Sequence, residues 1–200
     1  TASSGGSAFG KGTSLAVSGV IAANNVVSSA DAIIEDSDIT TTGAGADIDV
    51  LATNTSFINA RNISSTSTGD TAVTGTVAFN TIGWAAQNLL FKTVNTLLGQ
   101  TAIGTEQPAR TGATIVDSTI SAADAVNVTA DNSAKIQATI GNKTDSQAAA
   151  LTGASGMAVG LAITTNLVNS DAEAKIHSTS TTKQNVTAGA GGITVDAQDQ

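Results

Sequence analysis

Three stretches of the chain spell one phrase around an asparagine: SLAVSGVIAANNVV (14–27), TAVTGTVAFNTIG (71–83) and GMAVGLAITTNLVN (156–169). Ala16, Val17, Ile21 and Val26 align with Ala72, Val73, Val77 and Ile82, and again with Ala158, Val159, Ile163 and Val168. The match continues downstream. ADAIIEDSDI (30–39) is echoed by GATIVDSTI (112–120) and DAEAKIHSTS (171–180). ADIDVLATNTSFINA (46–60) is echoed by DAVNVTADNSAKIQA (124–138) and by GGITVDAQDQ (191–200). Asn24 and Asn80 lie 56 residues apart, and Asn80 and Asn166 lie 86 apart. The excess falls at one place. The chain is therefore expected to be a single module of three repeats, about 14–70, 71–151 with an insertion over 83–111, and a truncated 152–200. A repeat of this kind constrains the fold strongly, because one repeat cannot bury its apolar face without its neighbours.

Within a repeat the apolar residues alternate. Ile48, Val50 and Ala52 point one way, and Asp47, Asp49 and Leu51 the other. Val126, Val128 and Ala130 repeat this pattern, as do Ile193, Val195 and Ala197. A period of two is the mark of a strand. TTGAGA, STSTGD and TAGAGG carry turn chemistry and are expected to separate the strands. LAVSGVIAANNVV and MAVGLAITTNLV are nearly continuous apolar runs, as in strands buried on both faces. Hydrophobic residues make up 40% of the chain but aromatics only 2%, and there is one Pro. Such a core stacks small and β-branched side chains. The expected fold is all-β, a right-handed parallel β-helix (β-solenoid) of stacked rungs with one amphipathic α-helical insertion. Each repeat would supply two or three rungs of about 20 residues, climbing about 4.8 Å per rung. An adhesin-type β-sandwich is the competing architecture.

The insertion, GWAAQNLLFKTVNTLLGQTAIGTEQPAR, changes period. At helical spacing Trp84, Ala86, Leu90, Phe91, Val94, Leu97 and Leu98 gather on one face, with Asn88, Lys92, Thr93, Asn95 and Thr96 opposite. Gln87 and Leu89 break the stripe, and Gly99 suits a helix C-terminus. This helix is expected to cover a face or an open end of the solenoid, where strand edges would otherwise pair with other molecules. Trp84, Leu90, Phe91, Val94, Leu97 and Leu98 alternatively form a docking surface for a neighbouring subunit.

Catalytic chemistry is sparse. The single His177 alternates outward and has no Cys or second His with which to share a metal. Nothing resembles a nucleophile elbow. Glu35, Asp36 and Asp38, or Asp47 and Asp49, could pair as the carboxylates of a polysaccharide-cleaving site, but solubility explains them as well. GAGAD (43–47) matches part of a Gly-rich calcium repeat, which makes Asp47 and Asp49 weak calcium candidates. A glycine turn explains the stretch better. No catalytic residue or cofactor is expected. Five sequons, at Asn54, Asn62, Asn127, Asn142 and Asn185, matter only where the source glycosylates.

The net charge of −8 argues against nucleic acid. No apolar stretch reaches the length of a membrane helix, and no Cys is available for disulfides. TASSGGSAFGKGTS lacks the layout of a secretion signal and begins with Thr, so the chain is expected to be a processed product or a piece of something longer.

GMAVGLAITTNLVNSDAEAKI, NTIGWAAQNLLFKTVNTLLG and GTEQPA resemble modules of very large secreted bacterial proteins, the filamentous-haemagglutinin-like and leukotoxin-like adhesins. The resemblance covers almost the whole chain and brings no catalytic or ligand residues. It implies an extracellular or cell-surface location and a structural or adhesive role within a larger parent. The expected function is a structural module of an extracellular fibre or giant adhesin, its partners being copies of itself, adjacent modules and cell-surface glycans. Outward Thr rows in DITTTG and STSTTK suggest the alternative, an ice- or carbohydrate-binding face. A β-helical polysaccharide lyase ranks below both, because aromatics and a basic cleft are missing.

Overall fold

The computed structural model describes residues 2–4, 15–84, 106–146, 156–179 and 185–200. These form thirteen strands and no helix: β1 (Ala2–Ser4), β2 (Leu15–Val26), β3 (Ser29–Glu35), β4 (Asp38–Thr40), β5 (Ile48–Thr68), β6 (Thr71–Ile82), β7 (Ala109–Val116), β8 (Thr119–Ser121), β9 (Ala125–Ser146), β10 (Met157–Val168), β11 (Ser170–His177), β12 (Val186–Thr187) and β13 (Gly192–Asp199).

The strands assort into four sheets, in the orders β1-β5-β9-β13, β10-β6-β2, β11-β7-β3 and β12-β8-β4. Every strand thus neighbours the strand four places on. The β1–β5, β3–β7, β7–β11, β4–β8, β8–β12 and β9–β13 ladders are parallel. The chain is all-β with parallel strands stacked in sheets, consistent with a β-solenoid. Each repeat contributes one strand to each sheet, not the two or three short rungs expected. The reason is strand length. β5 runs 21 residues and β9 runs 22; STSTGD does separate β5 from β6, but the break is confined to Gly69 and Asp70, and β5 continues through Thr68.

The chain divides into two compact units, and each repeat threads both. One takes Asn25–Phe57, Ile82–Lys135 and Val168–Gln200. Its core is aliphatic: Ile48, Val50 and Ala52 of β5, Ala113 and Ile115 of β7, Ile120 of β8, and Val126, Val128 and Ala130 of β9. Register makes columns of like residues. Ile34 pairs Ile115, which pairs Ile176. Ile39 pairs Ile120, which pairs Val186, and Val126 pairs Ile193. Burying one such side chain contributes about 1.5–3 kcal/mol. The corners repeat as well. Asp36 and Asp117 both adopt left-handed φ, 47° and 46°, a conformation Asp tolerates better than most residues. Each is followed by a serine whose Oγ bonds back, Ser37 to Glu35 O and Ser118 to Val116 O.

The other unit takes Thr1–Asn24, Ile58–Thr81 and Ile136–Leu167, and its interior is polar. Asn62, Ser64, Thr66, Thr74, Thr76 and Asn80 are buried. Hydroxyls can both donate and accept, so they satisfy one another across the facing sheets. Ser18 bonds Thr66, and Ser64 bonds Thr76. Asn80 Nδ2 donates to Asn166 Oδ1, and Asn24 Nδ2 donates to Asn80 Oδ1, both at 2.8 Å.

Three expectations change here. The runs in β2 and β10 are not buried on both faces: Leu15, Val17 and Ile21, and Met157, Val159 and Leu161, are exposed. The insertion closes earlier than 111, because β7 begins at Ala109, and Arg110 and Thr111 already pair with Ser29 and Ala30. Trp84, expected on the helix, forms an antiparallel bridge with Glu106. The remaining helix residues singled out, Leu90, Phe91, Val94, Leu97 and Leu98, lie outside the described residues.

Candidate functional site

Two kinds of surface stand out: strand edges with open columns, and a small cleft. The edges follow from the sheet orders. β2, β3 and β4 end their sheets on one side, and β10, β11, β12 and β13 on the other. The columns that run between them are closed in the middle repeat and open in the third. Val126 and Val128 are wholly buried, whereas Ile193 and Val195, in the same columns, are 48% and 47% exposed. No described strand stacks over β13. In the polar-cored unit, residues 157–162 of β10 are exposed on both faces. Open apolar columns beside unpaired backbone can accept a further strand.

The cleft holds about 240 Å³ and lies in the polar-cored unit. Its walls are Ala22 and Ala78 on β2 and β6, and Ala60 and Ala138 on β5 and β9, with Asn24, Asn62 and Asn80 beside them. Four alanines face one another there, and their short side chains leave the space.

Asp47 and Asp49 lie on the outward side of β5 and its approach. Their carboxylates are engaged in holding the next strand: Asp47 Oδ1 accepts from Ala125 N and Asp49 Oδ1 from Asn127 Nδ2, each at 2.8 Å. Gly43 and Gly45 before them have φ of 128° and 71°, which only glycine adopts easily. No cluster of three His, Asp or Glu arranged to hold a metal occurs among the described residues. His177 is exposed at the end of β11, its carbonyl accepting from Asp117 N. Glu35, Asp36 and Asp38 fall at the β3–β4 corner.

Sequence reading missed several polar arrangements. The three repeat asparagines served as alignment marks, but their ladder was not foreseen. Arg110 and Lys175 both reach Glu173, at 2.9 and 3.1 Å. The Lys175 hydrogen bond, together with the charges of Lys175 and Arg110, holds the Glu173 carboxyl below the usual carboxylate range. Asp117 accepts from Ser178 Oγ, Thr179 N and Thr179 Oγ1, tying the second corner to the third repeat. Register places Thr40, Ser121 and Thr187 in one hydroxyl row. Thr187 Oγ1 donates to Ile120 O at 3.2 Å, and the neighbouring Thr41 Oγ1 donates to Ala46 O and accepts from Ala123 N.

The chain matches no family model, no curated protein and no solved structure.

Proposed function

We propose that this chain is a structural module of an extracellular fibre or giant cell-surface adhesin. In this reading it is a right-handed parallel β-helix whose turns stack end to end, and the scaffold is itself the function. The observation that carries it is the return of the same four sheets in each of three repeats, with columns closed in the middle repeat at Val126 and Val128 and left open in the third at Ile193 and Val195. A polymer of such turns needs no catalytic group: stiffness comes from continuous ladders and like-on-like columns. The partners are copies of the chain, adjacent modules of a longer parent, and cell-surface glycans. The resemblance to large secreted adhesins supports the extracellular assignment. Electron micrographs of the concentrated protein test the reading. Rods or filaments are expected, and uniformly globular monomers at every concentration would overturn it.

A second reading, an ice- or carbohydrate-binding face, rests on the Thr40–Ser121–Thr187 row. Crystal shaping in a supercooled droplet would support it for ice, and retention on a glycan array would support it for carbohydrate.

A further inference from the structure

We infer that the partner seated on the open edges is a second copy of this chain, docked head to tail in one specific register. The inference rests on the fibre reading and adds the strand pairing. The rule inside the molecule is that each strand neighbours the strand four places on, in parallel for β3–β7–β11, β4–β8–β12 and β9–β13. Continued across a junction, it pairs β11 with the next copy's β3, β12 with its β4, and β13 with the Ile48–Asn54 edge of its β5.

Column chemistry agrees with this pairing in the aliphatic-cored unit. Ile176 would sit on Ile34, Val186 on Ile39, and Ile193, Val195 and Ala197 on Ile48, Val50 and Ala52. These are the pairings of like residues already present between repeats, as where Ile115 registers with both Ile34 and Ile176.

The register inside the molecule sets the junction register. β13 pairs β9 from Gly192↔Ala125 to Asp199↔Asn132, and the same spacing carried onto a neighbour's β5 aligns it with the N-terminal part of that strand, apart from Thr66–Thr68, where β1 pairs. Because the contact is heterologous and its two surfaces differ, it propagates instead of closing into a dimer.

The chain has no cysteine, which makes register directly measurable. Thr53 and Gln198 are both exposed and would become lateral neighbours at the junction. Adjacent parallel strands lie within disulfide reach when residues are in register. T53C chains are mixed with Q198C chains, and separately with T194C chains, then oxidised and imaged. Cross-linking of the first pair and loss of it in the second is expected. V195K, which places a charge at a half-exposed position of the folded chain but inside the junction column, is expected to abolish assembly while the circular dichroism stays unchanged. Filaments with no T53C–Q198C bond, or filaments unaffected by V195K, would overturn the register and leave the fibre reading standing. Absence of both filaments and cross-links would overturn both.

Discussion

Asn80 donates from Nδ2 to Oδ1 of Asn166, 86 residues further along the chain, while its own Oδ1 accepts from Asn24 at the same 2.8 Å. Asn80 is wholly buried, and Asn24 and Asn166 are exposed. Replacing the middle residue breaks two hydrogen bonds at once, but the partners it leaves are exposed to water. Asn80→Ala is expected to cost about 1–3 kcal/mol, the net worth of two hydrogen bonds. Asn24→Ala and Asn166→Ala each leave one amide atom of buried Asn80 without its partner and should each cost about 1–3 kcal/mol as well. Urea unfolding of the three variants checks this, and negligible losses at Asn24 and Asn166 would show that they do not satisfy Asn80.

Thr111 makes the opposite prediction. Its residue is wholly buried in β7 between Ala30 and Ala172, and its Oγ1 has no hydrogen-bond partner among the described residues. A buried hydroxyl without a partner carries its desolvation cost uncompensated. Thr111→Val keeps the shape and removes that cost, so stability should rise by about 1 kcal/mol. Thr74, buried and unpartnered in the polar-cored unit, should respond in the same direction. Denaturant midpoints of the two variants decide it.

The alternation of Ile48, Val50 and Ala52 was legible because each side of β5 has one kind of environment. The same alternation in β13 was legible too, but exposure of Ile193 and Val195 was not, since it depends on what stacks above. Each repeat supplies one strand to each sheet instead of two or three rungs of about 20 residues, and the reason is physical. Ser64, Thr66 and Thr68 look like a turn when hydroxyls are assumed to face water, yet here they face inward, and Ser64 and Thr66 bond across the sheets. Polar interiors hide strands from any reading based on hydrophobic period. The corner repeat, by contrast, stands in plain text as EDSDI and VDSTI, because a left-handed residue needs a tolerant side chain there. Of the candidate site, the asparagines were visible as a repeat mark, whereas the cleft depends on four alanines from four strands meeting, which no local pattern announces.

Gly83 is a position where backbone freedom is required. Its φ is 77°, and a Cβ there would overlap the carbonyl oxygen of Asn169 and press on the Ala109 nitrogen. That carbonyl already accepts from Ala109 N, so it cannot retreat without losing a backbone bond. Gly83→Ala is expected to cost about 3 kcal/mol or more, from strain and displaced backbone together. Thermal unfolding checks it, with Gly75→Ala as the control, since open space surrounds that position.

Glu173 gives a pH-dependent prediction. Its carboxyl titrates below the ordinary range because of the Lys175 hydrogen bond first, and the charges of Lys175 and Arg110 next. A carboxylate depressed in the folded state stabilises above its unfolded pKa, and that contribution is lost as pH falls through the folded value. Glu173→Gln should therefore be slightly less stable than the parent at neutral pH and equal to it in strong acid. The group is exposed, so added salt should shrink the neutral-pH difference. Paired denaturation curves across the acid range check the sign.

Val126 and Val195 occupy neighbouring columns of one sheet but differ in what covers them. Val126 is wholly buried in the middle repeat, and Val195 is half exposed in the last. Val126→Ala removes two methyl groups from a packed column and should cost about 2 kcal/mol through lost transfer energy and the cavity left behind. Val195→Ala should change the single chain by no more than about 0.5 kcal/mol. If copies stack, however, Val195 becomes interior, and its truncation should weaken assembly while leaving monomer unfolding unchanged. Measuring unfolding at low protein concentration and association at high concentration separates the two effects. A Val195→Ala chain that associates as well as the parent would mean that its column gains no cover on assembly.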